Sequence, residues 1–115
     1  MDSILTSIKK LLGPEEDDTH FDPDIVMHIN TVLMSLNQIG VGPETGFSIS
    51  DKTKTWSDYL GTDINFEAVK SYIYLKVRLI FDPPSSTPLI EAIERQINEL
   101  EWRLIIQTKE VETVG

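Results

Sequence analysis

The sequence contains no cysteine and no long hydrophobic run, and each absence excludes a class of protein. Without cysteine the chain has no disulfide framework and no thiolate metal site, and a cytosolic history is the simpler interpretation. The apolar runs are far shorter than the roughly 20 residues that a membrane-spanning helix needs. The N-terminal segment MDSILTSIKKLLG is unlike a signal peptide, because Asp2 occupies the position of a positive charge and Lys9 and Lys10 interrupt the apolar residues.

Basic residues are also few. Ten lysines and arginines stand against 19 acidic residues, so that the formal net charge is -9. Proteins that grip nucleic acid usually carry a basic patch or stripe, and no segment of this chain has a dense cluster of cations. We therefore expect no sequence-driven DNA binding, whereas a surface past which DNA moves without sticking is compatible with this charge.

The motifs that mark a catalytic or cofactor site are incomplete in this sequence. The segment GVGPETGFS lacks both the lysine and the glycine spacing of a phosphate-binding loop. His20, Asp22 and Asp24 are close in sequence and could bind a metal ion, but a helix start with an exposed histidine explains them better. Serine, histidine and acidic residues occur without a pattern that marks a nucleophile. The sequence therefore predicts no enzyme activity, no cofactor and no metal site.

Helical periodicity is the dominant positive feature of the sequence. Apolar residues recur at the spacing of amphipathic helices, and N-cap residues, prolines and glycines mark the helix ends. We expect residues 1–107 to form a single helical domain and residues 108–115 to be a flexible C-terminal tail. The predicted fold is all-α, a small bundle of four main helices at about 3–12, 23–39, 64–82 and 87–107, with a short extended or turn segment and a short helix at 40–61.

The last two main helices carry more apolar residues than the core of one small domain needs. The third helix is apolar on two sides, and the last helix has an apolar patch off the seam that faces the third. We interpret the surplus residues, with a lysine at their rim, as contacts with a neighbouring subunit or a partner protein. These candidate interface residues are Tyr72, Leu75, Lys76, Leu79, Trp102, Ile105 and Ile106.

The order of these segments resembles a known protein family. The two C-terminal segments VKSYIYLKVRLIFDPP and LIEAIERQINELEWRL carry most of the resemblance. The opening MDSILTSIKKLLG and the middle HINTVLMSLNQIGVG…FSI…TWSDYLG agree with it in order and spacing. Together they are similar to the small head–tail connector, or adaptor, proteins of tailed bacteriophages, over about residues 1–106. No catalytic motif contributes to this resemblance.

The resemblance implies a structural virion protein without enzymatic activity. Such proteins form a ring, typically twelve-fold, that assembles under the portal protein, extends the DNA channel and docks stopper or tail-completion proteins. The protein would reside in the neck of the virion after assembly in the host cytoplasm, with genomic DNA as passing cargo and no membrane partner. An acidic channel wall suits this role, because a cationic wall would hold phosphates. The candidate lumen or loop acids are Glu15, Glu16, Asp17, Asp18 and Glu44.

Two other functions are compatible with a small acidic helical protein. An acidic regulatory or inhibitory protein that mimics DNA is the main alternative, and it would need acidic residues along one face at phosphate-like spacing. The acidic residues here are scattered, apart from one cluster in a loop. A helix-turn-helix regulator would need a basic recognition helix, and neither long C-terminal helix is strongly positive.

Overall fold

The computed structural model describes residues 3–13, 18–61 and 66–114, with side chains as far as residue 108. This part of the chain forms five α-helices, and its one β contact is an isolated antiparallel bridge between Ser3 and Thr55. The predicted all-α bundle of four main helices and one short helix is confirmed. The helices are α1 (Ile4–Leu12), α2 (Asp22–Gln38), α3 (Trp56–Leu60), α4 (Phe66–Phe81) and α5 (Thr87–Val114).

Local sequence signals explain where these helices begin and end. Ser3 caps α1, since its hydroxyl accepts a hydrogen bond from the backbone N–H of Thr6 at 3.1 Å. Gly13 ends α1 in the left-handed conformation, with φ of 115°. Thr55 and Asp58 form a reciprocal capping box at the start of α3, and the hydrogen bonds from Thr55 lower the pKa of the Asp58 carboxyl.

Helix α4 is the centre of the bundle. It packs against α2 on one side, against α5 on another, and also against α1. Its buried side chains therefore cover slightly more than half of its circumference, and they are Val69, Tyr72, Ile73, Leu75 and Val77. A helix with neighbours on several sides must be apolar on several sides, because each contact removes a separate stripe from water.

The first helix belongs to the core of the bundle. Ile4, Leu5 and Ile8 are buried, so most of the apolar face of α1 is covered by the rest of the protein, whereas Leu11 near its end is 45% exposed. The indole Nε1 of Trp56 donates a hydrogen bond to Ser7 Oγ at 3.0 Å, which joins α3 to α1. Within the described parts of the chain, no helix is both long and apolar enough to cross a membrane.

The segment between α2 and α3 is irregular backbone that is attached to α2. Asn30 forms two hydrogen bonds with the main chain of Ile49: its Nδ2 donates to the carbonyl oxygen, and its Oδ1 accepts from the N–H, each at 2.8 Å. Phe47 packs on Tyr59 with ring centroids 4.9 Å apart. The alternation of apolar and polar residues at 47–50 thus buries Ile49 without forming a strand in the described chain.

Helix α5 extends further than predicted. It ends at Val114, whereas the sequence pattern suggested an end near residue 107. The segment QTKEVETV contains no glycine or proline, so nothing in it stops a helix. Thr108 attaches this region to the end of α2, because its hydroxyl lies 3.2 Å from the carbonyl oxygen of Ile39 and 2.8 Å from that of Ile105. The flexibility of residues 108–115 stays a prediction.

Candidate subunit interface

Two of the predicted interface residues lie in the core of the protomer. Tyr72 is 1% exposed and Leu75 is 8% exposed, because the side of α4 that carries them faces α5. The Tyr72 hydroxyl donates a hydrogen bond to Glu101 Oε2 at 2.9 Å across this contact. The prediction that Tyr72 and Leu75 form a surplus apolar surface is therefore wrong: the second apolar face of α4 is covered by α5 of the same chain.

Lys76 and Leu79 lie at the edge of the same intramolecular contact. Both are half-buried, and the Lys76 ammonium lies 5.2 Å from the centroid of the Tyr72 ring, within range of a cation–π interaction. Lys76 thus already has a favourable contact inside the protomer. The contact that this lysine borders in the protomer is between α4 and α5, and its predicted place at a subunit interface stays a prediction.

Replacing Tyr72 with phenylalanine should reduce the loss of folding stability that occurs at alkaline pH. Burial and the nearby Glu101 carboxylate raise the pKa of Tyr72 above its ordinary value of 10.0. The folded state therefore keeps a proton that the unfolded chain releases, and the stability contributed by this group is present below pH 10 and lost as the pH rises further. Urea unfolding between pH 9 and pH 11 should show a smaller loss of stability for Tyr72→Phe than for the wild type.

The same substitution should also lower the free energy of unfolding near neutral pH. It removes a hydrogen bond to a charged acceptor, which contributes about 1.5–3 kcal/mol. Tyr74→Phe is the matched control, since Tyr74 is half-buried on the same helix and its hydroxyl accepts a hydrogen bond from Arg78 at 3.3 Å. Parallel pH profiles for Tyr72→Phe and the wild type would contradict the assignment to Tyr72.

Trp102 is the main exposed apolar residue among the predicted interface residues. Its side chain is 62% exposed, and on α5 it points away from Ile97 and Leu104, which are buried toward the core. Ile105 and Ile106, within the next turn, are half-buried. Single exposed hydrophobic residues are normal, but a large aromatic side chain with apolar neighbours is typical of a protein–protein contact. The structure thus places Trp102 at the surface, and its part in an interface stays a prediction.

The sequence prediction missed a second exposed surface, on α2. Met27 is 58% exposed and Met34 is 60% exposed, and both point away from the buried side of the helix. Residues 25–43 contain no acidic or basic residue when histidine is counted as neutral. In a chain with 25% charged residues, an exposed helix side that carries no charge over residues 25–38 is unusual. The lack of charged residues in this stretch could have revealed the exposed surface. It was overlooked because methionine counts as an apolar core residue.

A third group of apolar side chains lies at the end of the bundle where α2 begins and α4 ends. Phe21 and Phe81 contact each other edge to face, with ring centroids 5.4 Å apart, and His20 packs on the other side of Phe21 at 4.7 Å. Phe21 and Ile80 are exposed. This end of the protomer therefore offers aromatic and aliphatic surface separate from that on the long sides of α2 and α5.

The predicted loop acids are only partly described. Asp18 and Glu44 are exposed, and they lie in the loops that precede and follow α2. The Asp18 side chain accepts a hydrogen bond from the backbone N–H of His20 at 3.1 Å. Glu15, Glu16 and Asp17 lie outside the described residues. A position on a channel wall stays a prediction for all five.

The histidine and acidic residues near residue 20 have structural roles. His20 packs on Phe21, and Asp22 forms an ion pair with Lys9, the Asp22 Oδ1 and Lys9 Nζ atoms being 2.9 Å apart. Asp24 is exposed in the first turn of α2, where an acidic side chain interacts favourably with the helix dipole. No group of three histidine, cysteine or acidic side chains in residues 3–13, 18–61 and 66–114 could hold a metal ion.

Comparison with known protein families shows to which family the chain belongs. The family model described as phage connector protein matches residues 4–111, from the first residue of α1 to the last turn of α5. The chain belongs to the phage connector protein family. The predicted resemblance to head–tail connector proteins is thereby confirmed, and it is favoured over the DNA-mimic alternative. No curated protein and no solved structure matches the chain.

Membership of this family gives the exposed surfaces a context. A phage connector is a component of a virion that contacts other virion proteins, and the family description names no reaction. Exposed apolar surface is expected on such a protein, because assembly with other virion proteins covers it. The Trp102 region of α5, which consists of Trp102, Ile105 and Ile106, and the methionine-bearing side of α2 are therefore candidate assembly surfaces of this connector.

Proposed function

We propose that this connector is an adaptor that assembles as a ring under the portal protein, extends the DNA channel and docks a stopper or tail-completion protein. The family match supports a role in joining virion components. The observation that carries the specific proposal is Trp102, an aromatic side chain 62% exposed on a helix whose opposite side is packed into the core. A ring of identical copies, typically twelve, would cover this side chain once in every subunit.

The charge of the protein supports a channel that releases DNA. A net charge of -9 per chain gives a ring a strongly negative field, which discourages phosphates from binding to the wall. Asp18 and Glu44 are exposed acids in loops and suit a lining position. In this proposal genomic DNA is passing cargo, the protein resides in the neck of the virion, and assembly takes place in the host cytoplasm without a membrane.

The proposal predicts that a charge at position 102 weakens assembly. In Trp102→Glu, a central aromatic contact is lost and an acid is placed in an apolar contact, so ring formation on purified portal should weaken by at least about tenfold. Native mass spectrometry of the portal–connector mixture measures the number of bound copies. Because Trp102 is exposed in the protomer, the thermal unfolding of the variant should match that of the wild type.

Gln96→Glu is the matched control for this experiment. It adds the same charge at another exposed position of α5, on a different side of the helix from Trp102. This variant should assemble normally. Normal assembly of Trp102→Glu, or a wild-type protein that never binds portal, would refute the proposed function. Acrylamide quenching gives a second measurement, since Trp56 is buried and the other tryptophan, Trp102, should become protected on assembly.

A further inference from the structure

We infer that the charge-free outer side of α2 is the surface on which the Trp102 region of the next copy docks. This inference rests on the proposed ring and names its two contacting faces. The α2 face consists of Met27, Thr31, Met34 and Gln38, all of which are exposed. Their spacing of four, three and four residues makes one continuous stripe about 16 Å long, on the side of α2 opposite its buried residues.

The positions of the two faces fit a head-to-tail contact between copies. Helix α4 packs against both α2 and α5, and the α2 face and Trp102 each lie on the side of their helix away from the buried core residues. The two faces are therefore different surfaces of one protomer. A ring requires this arrangement, because each copy must present one face to the copy before it and another to the copy after it.

The distribution of charge favours a second copy as the occupant of the α2 face. Two chains of net charge -9 repel each other, so contact is least unfavourable where the acids are absent or neutralised. The α2 face lies in the charge-free segment 25–43. Beside Trp102, the carboxylate of Glu99 is neutralised by Arg103 of the same helix, the Glu99 Oε1 and Arg103 Nη2 atoms being 2.9 Å apart. These faces can meet without opposing two uncompensated acids.

The hydroxyl groups on and beside the α2 face can be covered at little cost. The Thr31 hydroxyl donates a hydrogen bond to the carbonyl oxygen of Met27 at 3.0 Å, and the neighbouring Ser35 hydroxyl lies 3.4 Å from the carbonyl oxygen of Thr31. These hydroxyls therefore keep their partners when water leaves. The two methionines are unbranched and polarizable, so they can adapt to an indole ring and make favourable sulfur–aromatic contacts with it.

Cysteine cross-linking tests the pairing of the two faces directly, because the natural chain contains no cysteine. Thr31→Cys places a thiol between Met27 and Met34, and Asn98→Cys places one a turn before Trp102, so the apolar side chains remain. Both positions are exposed. Rings assembled on portal from the double variant and treated with a short bismaleimide should give a ladder of covalent connector multimers on a denaturing gel.

The control variants make the result specific to a head-to-tail contact. Each single-cysteine variant should yield at least about tenfold less cross-linked product, since its thiol faces a surface without a partner thiol. The pair Ser57→Cys and Asn98→Cys should also yield little, because Ser57 is exposed on α3, outside both faces. Dimers from Thr31→Cys alone would overturn the inference, because they would show two α2 faces in contact.

The outcomes separate this inference from the proposed function. Rings that form on portal without the ladder would refute the α2 contact and leave the adaptor proposal intact. Cross-links from Thr31→Cys to the portal protein, in place of another connector copy, would also refute it and would assign the α2 face to a different partner. A double variant and a wild type that both fail to assemble on portal would refute the ring, and the pairing of faces with it.

Discussion

Replacing Gly42 with alanine should destabilise the protein by about 2–5 kcal/mol, through backbone strain and overpacking combined. Gly42 has φ of +85°, which L-residues with a side chain rarely adopt. A Cβ atom at this position would lie 2.5 Å from Cε1 of Tyr59. The Tyr59 ring is buried and packs on Phe47, so it has little room to move away.

Gly46→Ala is the matched control for this prediction. Gly46 also has a positive φ, of +94°, but a Cβ atom there would have no neighbour within 4 Å. This variant should therefore lose only the conformational component, about 1–2 kcal/mol. Urea unfolding followed by far-ultraviolet circular dichroism measures both losses, and their difference isolates the contact with Tyr59. Equal losses of stability at the two glycines would show that the Tyr59 ring moves aside without an energetic cost.

Replacing Lys9 with methionine should lower the free energy of unfolding by about 2–4 kcal/mol. This is less than the loss expected when a fully buried ion pair is broken, because the partner of Lys9 is partly hydrated. Lys9 is 2% exposed, although it carries a charge. Its ammonium lies 2.9 Å from Asp22 Oδ1 and donates a hydrogen bond to the carbonyl oxygen of Asp18 at 2.7 Å. It therefore ties the last turn of α1 to the start of α2, and its removal leaves an unpaired carboxylate that is 24% exposed.

Lys10→Met separates this effect from the general loss of a positive charge. Lys10 is the next residue of α1 and is exposed, so the contacts of its ammonium are worth less than about 1 kcal/mol. The double variant Lys9→Met, Asp22→Asn should recover part of the stability lost in Lys9→Met, because the uncompensated carboxylate is gone. Thermal unfolding of the four proteins measures these differences. Equal melting temperatures for Lys9→Met and Lys10→Met would show that the buried ion pair does not stabilise the fold.

The two proposed assembly surfaces and these two stabilising contacts involve different parts of the protomer. Lys9 and Gly42 act inside the protein, so their replacement should lower stability before it affects docking. Trp102 and the α2 face are exposed, so their replacement should affect docking and leave stability near that of the wild type. Measuring unfolding and portal binding for the same set of variants therefore distinguishes a folding defect from an assembly defect.

Much of the secondary structure could be predicted from the sequence because helix signals are local. The cap at Ser3 and the break at Gly13 depend only on residues within one or two turns, and so does the stop before Pro83. The end of α5 was predicted too early, since the polar segment after residue 107 suggested a frayed tail. That segment lacks a helix breaker, and Thr108 is bonded to the end of α2 by a contact with no local signature.

The candidate interface was predicted less well, because burial depends on which elements meet. The sequence showed that α4 is apolar on two sides, but it could not show that α5 of the same chain covers the side with Tyr72 and Leu75. Trp102 could be identified from its position off the helical seam, since helical phase is a local property. The exposure of Met27 and Met34 was missed, because a methionine has the same apolar character in a core and on an exposed surface.

The sequence by itself thus determined the helical composition, the family and the acidic character of this connector. Each follows from residue order, helical periodicity or a sum of charges, which need no knowledge of distant contacts. Only the tertiary structure decided which apolar faces are internal and which remain open. That distinction depends on the packing of α4 between α2 and α5, where residues far apart in the chain exclude water from each other.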